Sequence, residues 1–276
     1  MLAVSGADRE AFLQGQLTQD TRGLNDGAAR RMAGLTARGK LLYFGWLVGE
    51  RDRALLLIPE PARETARAHL ARFAAFQKVS VEDASDRYSV WALYGPAAPA
   101  RTLPPGAVLL PAEGEMSGSV LAPASDEAHV TAALGKAGSQ ELPESEAEVL
   151  RIEAGRPRFG VDADSANLPD EVGLQDAIST EKGCYVGQEV VARLRTYGKV
   201  NRRLVGFRFA GDPLPAATVF PDPEKPGHEL GRVTSSTASP RFGPIGLGFA
   251  SRSVDDGAAL IAPGGGSAVV TRLPFA

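Results

Sequence analysis

The feature that most constrains the fold is a change of texture near residue 199. Upstream of it, stretches with helical spacing alternate with apolar strand-like runs. Downstream, from "RRLVGFRFAG" to the end, only short β-like runs remain, separated by Pro/Gly turns and with no convincing helix. Such runs suit a small β-barrel or sandwich. The chain therefore reads as an α+β body over residues 1–199 followed by an all-β domain over 200–276, with the boundary at Lys199.

Within the body, Ser5 with Asp8 three positions on is expected to form a capping box opening a helix. Phe12, Leu13 and Leu17 are available for that helix's buried face. "RRMAGLT", "KLLYFGWLV" and "RALLLIP" then read as strands joined by "ARGK" and "GERD" turns. Pro61 suits the first turn of the next helix, whose Ala66, Leu70, Phe73 and Ala74 share one face. "KVSVED" and "YSVWALYG" read as strands, and Pro96 to about Ala124 as a loop with short strands. "SDEAHVTAALGKAG" and "PESEAEVLRIEAGRP" read as helices, the second stopped by Gly155. A last helix is expected over Gln188–Arg195.

Composition excludes several classes. The 276 residues are 43% hydrophobic and 23% charged, with a net charge of −3. That profile is globular and lacks the basic excess of a nonspecific nucleic-acid binder. The sequence shows no secretory signal and no apolar run of the ~18 residues a membrane helix needs. No nucleic-acid or membrane partner is expected, and the expected location is cytoplasmic. His69, His129 and His228 are scattered without zinc-like spacing, and a lone cysteine cannot furnish the usual four-thiolate cluster site. No resident metal is expected.

Three groups of residues have chemical potential. The single cysteine, Cys184, lies between Gly183 and Tyr185, just ahead of the Gln188 helix. A helix N-terminus and Lys182, on the same side if the segment is extended, would both favour a thiolate; Gly183 and Gly187 would permit tight turns. Against this stands the view of Cys184 as an inert buried hydrophobe. In "NLPDEVGLQDAIS", Glu171 follows Asp170. A carboxylate there can accept two parallel hydrogen bonds from an amidine-like edge, or the pair is only a solvated acidic turn. Arg193, Arg195, Arg202 and Arg203 suit either an anionic ligand tail or a polar face with snorkelling stems.

Taken together, these residues are similar to a known family. "KGCYVGQE", Lys182 to Glu189, resembles the signature of the YgfZ-type folate-binding proteins, relatives of the glycine-cleavage T-protein, an aminomethyltransferase. "VSGADREAFLQGQLTQD", "RIEAGRPRFGVD", "LPDEVGLQDAIS", "RRLVGF", "GRVTSSTASPRFGPIGLGFA" and "RLPF" follow in the family's order, so the resemblance spans nearly the whole chain. It implies a folate-binding body of mixed helices and antiparallel sheets, then a small C-terminal β-barrel. The implied ligand is tetrahydrofolate, with Glu171 on the pterin's amino–imino edge and Arg202 near the glutamate tail. Arg193 and Arg203 are weaker candidates for the tail, and Tyr185 and Gln188 belong to the binding signature. Family members carry a short strand before the opening helix; here that strand is expected to be missing or to lie upstream of Met1.

One departure bears on function. T-proteins carry a catalytic aspartate in an early strand, yet "ARGKLLYFGWLV", Ala37 to Val48, has no carboxylate. Aminomethyl transfer needs a group that manages protons near the folate nitrogens. The resemblance therefore implies the cysteine-bearing branch, an accessory to iron–sulfur cluster assembly or repair, with Cys184 and Lys182 as the functional signature at the folate site. Partners would be cluster-assembly proteins or client enzymes. The alternatives are a one-carbon transferase using Asp162, Asp164, Asp170 or Glu189, and an adaptor with a vestigial folate pocket.

Overall fold

A computed structural model of the chain describes residues 1–95, 103–111, 116–198 and 200–276. Lys199, the sequence-derived boundary, lies outside the described residues, as does part of the Pro96–Ala124 loop. The helices are α1 (Arg9–Gln16), α2 (Glu60–Ala74), α3 (Glu127–Lys136), α4 (Glu144–Glu153) and α5 (Gln188–Tyr197). The chain forms two compact units. One holds Met1–Glu141, Asp164–Pro169 and Leu174–Thr196; the other holds Leu142–Ala163, Asp170–Gly173 and Tyr197–Ala276.

In the first unit, strands β1 (Leu2–Ser5), β2 (Ala29–Leu35), β3 (Leu41–Gly49), β4 (Arg53–Leu57) and β5 (Ser80–Asp83) form an antiparallel sheet in the order β2-β3-β4-β1-β5. The short strand before the opening helix is thus present as β1. It pairs with both β4 and β5, and Leu2 and Val4 are fully buried. This pairing also explains why the expected capping box does not form. Ser5 is committed to the ladder opposite Arg53 and Ser80. The Asp8 carboxylate instead accepts the backbone N–H of Lys78 at 2.9 Å. Strands β6 (Tyr88–Tyr94), β7 (Val108–Leu110) and β8 (Met116–Pro123) make a second antiparallel sheet, ordered β6-β8-β7.

Helix α2 buries a ridge of Ala62, Ala66, Leu70 and Ala74, spaced four apart as one face of a helix requires. Phe73, expected on that face, is instead 37% exposed. It sits one position off the ridge, and its ring meets the edge of His69 at 5.4 Å.

In the second unit, β9 (Arg202–Phe209), β10 (Val219–Pro221), β11 (Glu229–Ser239), β12 (Gly243–Ser251), β13 (Ala259–Ile261) and β14 (Ser267–Thr271) form one antiparallel sheet. Its order is β10-β11-β12-β9-β14-β13. The end strands β10 and β13 approach each other, so the sheet is a nearly closed barrel. Phe207, Phe209 and Phe220 fill it together with Val205, Val233 and Val270; a fully buried side chain of this size stabilises by about 1.5–3 kcal/mol. Helix α4 packs on the outside of β11 and β12, where Ile152 meets Ile245, Leu247 and Phe275. The fold is α+β, with mixed helices and antiparallel sheets and a C-terminal barrel-like sheet.

Candidate functional site

In the first unit, the cysteine segment is laid against the C-terminal end of α1. The last carbonyls of a helix lack intrahelical donors and carry its negative dipole end. Here the segment supplies donors. The Val186 N–H bonds the Gly15 carbonyl at 3.1 Å. The Lys182 ammonium donates to the Leu17 carbonyl at 2.6 Å and the Gln19 carbonyl at 2.9 Å. Thr18 completes the seam: its hydroxyl donates to the Ala177 carbonyl at 2.6 Å, and its own carbonyl accepts the Ser179 N–H at 3.0 Å.

These contacts correct the expected arrangement of Lys182 and Cys184. The segment is irregular rather than extended, so the two side chains do not alternate onto one side. Lys182 turns inward and is 6% exposed, with its ammonium 5.0 Å from the centre of the Tyr185 ring. Cys184 points outward as a free, exposed thiol, and it is not packed as a buried hydrophobe. Gly187 has φ +84°, and a Cβ there would lie 2.6 Å from the Thr36 carbonyl oxygen, so glycine is required where the loop turns into α5. Gly183 has open space around its would-be Cβ and carries no such requirement.

Burial lowers the pKa of Lys182 from 10.5 to about 8. The folded value lies below the unfolded one, so between pH 8 and 10.5 the unfolded chain binds more protons and stability rises with pH. Lys182→Met removes this dependence. Urea melts at pH 7 and pH 10 should show the wild type gaining on the variant by about 2 kcal/mol over that interval. A constant difference would mean the ammonium is not desolvated.

In the second unit, Glu171 lies on the short 3-10 turn that spans Pro169–Val172 and is 6% exposed. Its Oε2 is 3.4 Å from Nε of Arg202, at the start of β9. The Arg202 guanidinium lies over the ring of Phe249, 4.6 Å from its centre. Strand register makes this possible: β12 runs antiparallel to β9, with Phe249 opposite Leu204 and Ser251 opposite Arg202. A buried carboxylate and an aromatic face that meet the same guanidinium are a setting for a flat, amidine-bearing ring. Phe249 was not singled out in the sequence; only its place in "GLGFA", opposite "RRLVG" in the sheet, marks it.

The other candidate residues are placed as follows. Arg203 donates to the Val254 carbonyl at 2.9 Å and pairs with Asp256 at 2.6 Å, which fixes it within the barrel. Tyr185 is buried beneath Lys182, Gln188 opens α5 half-buried, and Arg193 is exposed on α5. Asp162 is 1% exposed and fully engaged: it pairs with Arg151 at 2.7 Å, accepts the Ser235 hydroxyl at 2.7 Å and the Thr234 hydroxyl at 2.5 Å, and takes the Arg158 N–H at 3.0 Å. The "RIEAGRPRFGVD" stretch thus fastens α4 to β11. On β3, Tyr43 is fully buried, and its hydroxyl is 3.1 Å from Nδ1 of His69. Burial pushes the phenol's pKa upward and keeps it neutral. Among the described residues, no group of three or more His, Cys, Asp or Glu side chains is placed to hold a metal ion, and no helix is long and apolar enough to cross a membrane.

No protein-family model matches the chain. Among curated proteins, it is 28% identical over 220 residues to the tRNA-modifying protein YgfZ of Colwellia psychrerythraea, covering 74% of this chain and 67% of that one. It is 30% identical over 233 residues to the tRNA-modifying protein YgfZ of an Escherichia coli O157:H7 strain, covering 79% of this chain and 72% of the relative. Among solved structures, the glycine cleavage system aminomethyltransferase T of Bartonella henselae superposes with a TM-score of 0.84. That match covers 100% of this chain and 83% of the other at 23% identity, which supports a shared fold.

Proposed function

The chain belongs to the YgfZ family of aminomethyltransferase-like proteins, and on that footing we propose that it is a tetrahydrofolate-binding accessory protein in iron–sulfur cluster assembly or repair, with Cys184 as its reactive group. The observation that carries the folate part is the buried Glu171 carboxylate, which shares Arg202 as a neighbour with the Phe249 ring. Those groups fit a reduced pterin: the ring stacks on the aromatic face, and its amino–imino edge meets the carboxylate through paired charge-assisted hydrogen bonds. The exposed Cys184, on a loop tied down at Lys182 and Val186, supports the second part. A thiol on a fixed loop is accessible to a cluster, a sulfur donor or an oxidant held by another protein. One cysteine supplies one ligand, so any cluster it meets is shared with a partner.

The alternative, a one-carbon transferase, draws less support from the structure, which leaves Asp170 and Glu189 as its carboxylates. Strand β3 offers only the buried, neutral Tyr43 in place of a carboxylate. Asp162 is consumed by Arg151, Ser235 and Thr234, and the Asp164 carboxylate accepts the Ala166 N–H at 2.7 Å. The related proteins are named for tRNA modification. With a net charge of −3, we place any such role of this chain in serving a client enzyme rather than in gripping RNA.

A strain deleted for this gene tests the proposal. Restoration of iron–sulfur enzyme activity by the wild-type chain, but not by Glu171→Ala, is the expected outcome. Full restoration by the variant would disconnect folate from the role.

A further inference from the structure

The Glu171–Arg202–Phe249 contact has an unusual chemical symmetry. A guanidinium is planar and presents two N–H groups across one carbon, the same N–C–N edge that a pterin offers through its 2-amino group and N3. In this chain the Arg202 guanidinium lies over the Phe249 ring, 4.6 Å from its centre, with Nε 3.4 Å from the Glu171 carboxylate. A pterin held by the same carboxylate and the same ring would need the place that this guanidinium fills. We infer that Arg202 is an internal stand-in for the ligand: its guanidinium holds the Glu171–Phe249 subsite, and a reduced pterin binds by displacing it.

Glu171 and Phe249 are buried, whereas the Arg202 side chain is 41% exposed. The 3.4 Å separation is too long for a strong charge-assisted hydrogen bond. A long ion pair with one half-exposed partner contributes little and opens readily. Arg202 sits at the first position of β9, so its side chain can swing outward without disturbing the ladder. With no ligand held, the stand-in places a cation beside a buried carboxylate. It also screens ligands: a flat ring displaces the guanidinium only if it brings both an aromatic face and a two-donor edge. This differs from a role for Arg202 as a clamp on the glutamate tail, and the two roles give opposite signs on mutation.

The inference rests on the folate reading, and the test separates the two. The wild type and Arg202→Ala are titrated by calorimetry with 6-methyltetrahydropterin, which lacks a glutamate tail, and with tetrahydrofolate. The stand-in role predicts that the variant binds the tail-less pterin about three- to tenfold more tightly, since the ligand no longer competes with an internal occupant. Unchanged or weaker binding of that pterin, with tetrahydrofolate still bound by the wild type, overturns the inference and leaves the folate reading intact. Weaker binding of tetrahydrofolate alone returns Arg202 to the tail. If neither ligand binds the wild type, the folate reading falls and this inference falls with it. Should the alanine variant fail to fold, Arg202→Gln, which keeps a polar stem but no N–C–N edge, is read in the same way.

Discussion

Replacing Glu171 by alanine should raise the dissociation constant for tetrahydrofolate about 10- to 100-fold, the effect of losing a charge-assisted pair of about 1–3 kcal/mol at a buried ring edge. Glu171 is 6% exposed, so water gives little compensation for the missing oxygen atoms. The loss should appear as faster ligand release rather than slower arrival, because the missing contact forms only in the complex. Folding should be retained: the Arg202 ion pair of Glu171 is long, at 3.4 Å, and its arginine is half-exposed. Calorimetric titration measures the affinity, and a thermal melt confirms the fold. An unchanged dissociation constant in a folded variant would remove Glu171 from the ligand site.

The second large effect concerns Cys184. Its thiol is exposed, and the bonds that hold its loop come from Lys182 and Val186. Cys184→Ala should therefore change stability by less than about 0.5 kcal/mol, as surface substitutions do. In cells the same variant should abolish support of iron–sulfur enzymes while leaving tetrahydrofolate affinity within about twofold, because the thiol is none of the groups assigned to the pterin. Retained activity in cells would remove the thiol from the function. A large drop in melting temperature would instead give it a structural role. The comparison with Glu171→Ala is informative because the two variants separate ligand binding from thiol chemistry.

Much of the fold was legible because its elements announce themselves locally. The 3.6-residue period marked α2 and its ridge of Ala66, Leu70 and Ala74; the short runs after residue 199 marked the barrel strands. Departures arose where a distant group decided the outcome. Ser5 looked like a cap until strand pairing with Arg53 and Ser80 claimed it. Phe73 fell one position off the buried ridge, where His69 receives its ring. Helix α4 gives no local sign that it packs on β11 and is fastened there by the Arg151–Asp162 pair.

The site shows the same division. Glu171 and Cys184 stood out as residue types in a recognisable pattern, and the structure places one buried and the other exposed. The partners of Lys182 were not readable. The alternation rule applies to extended chain, whereas this ammonium is drawn to the carbonyls of Leu17 and Gln19 at the end of a helix far away in sequence. Phe249 was equally hidden, because placing it beneath Arg202 requires the register of β12 on β9.

The central proposal is that a buried acidic side chain and an aromatic ring together accept a reduced pterin. Calorimetric titration of the purified chain with tetrahydrofolate under reducing conditions tests this most directly. The account predicts saturable binding of one ligand per chain. A titration with no saturable heat up to millimolar ligand would contradict it.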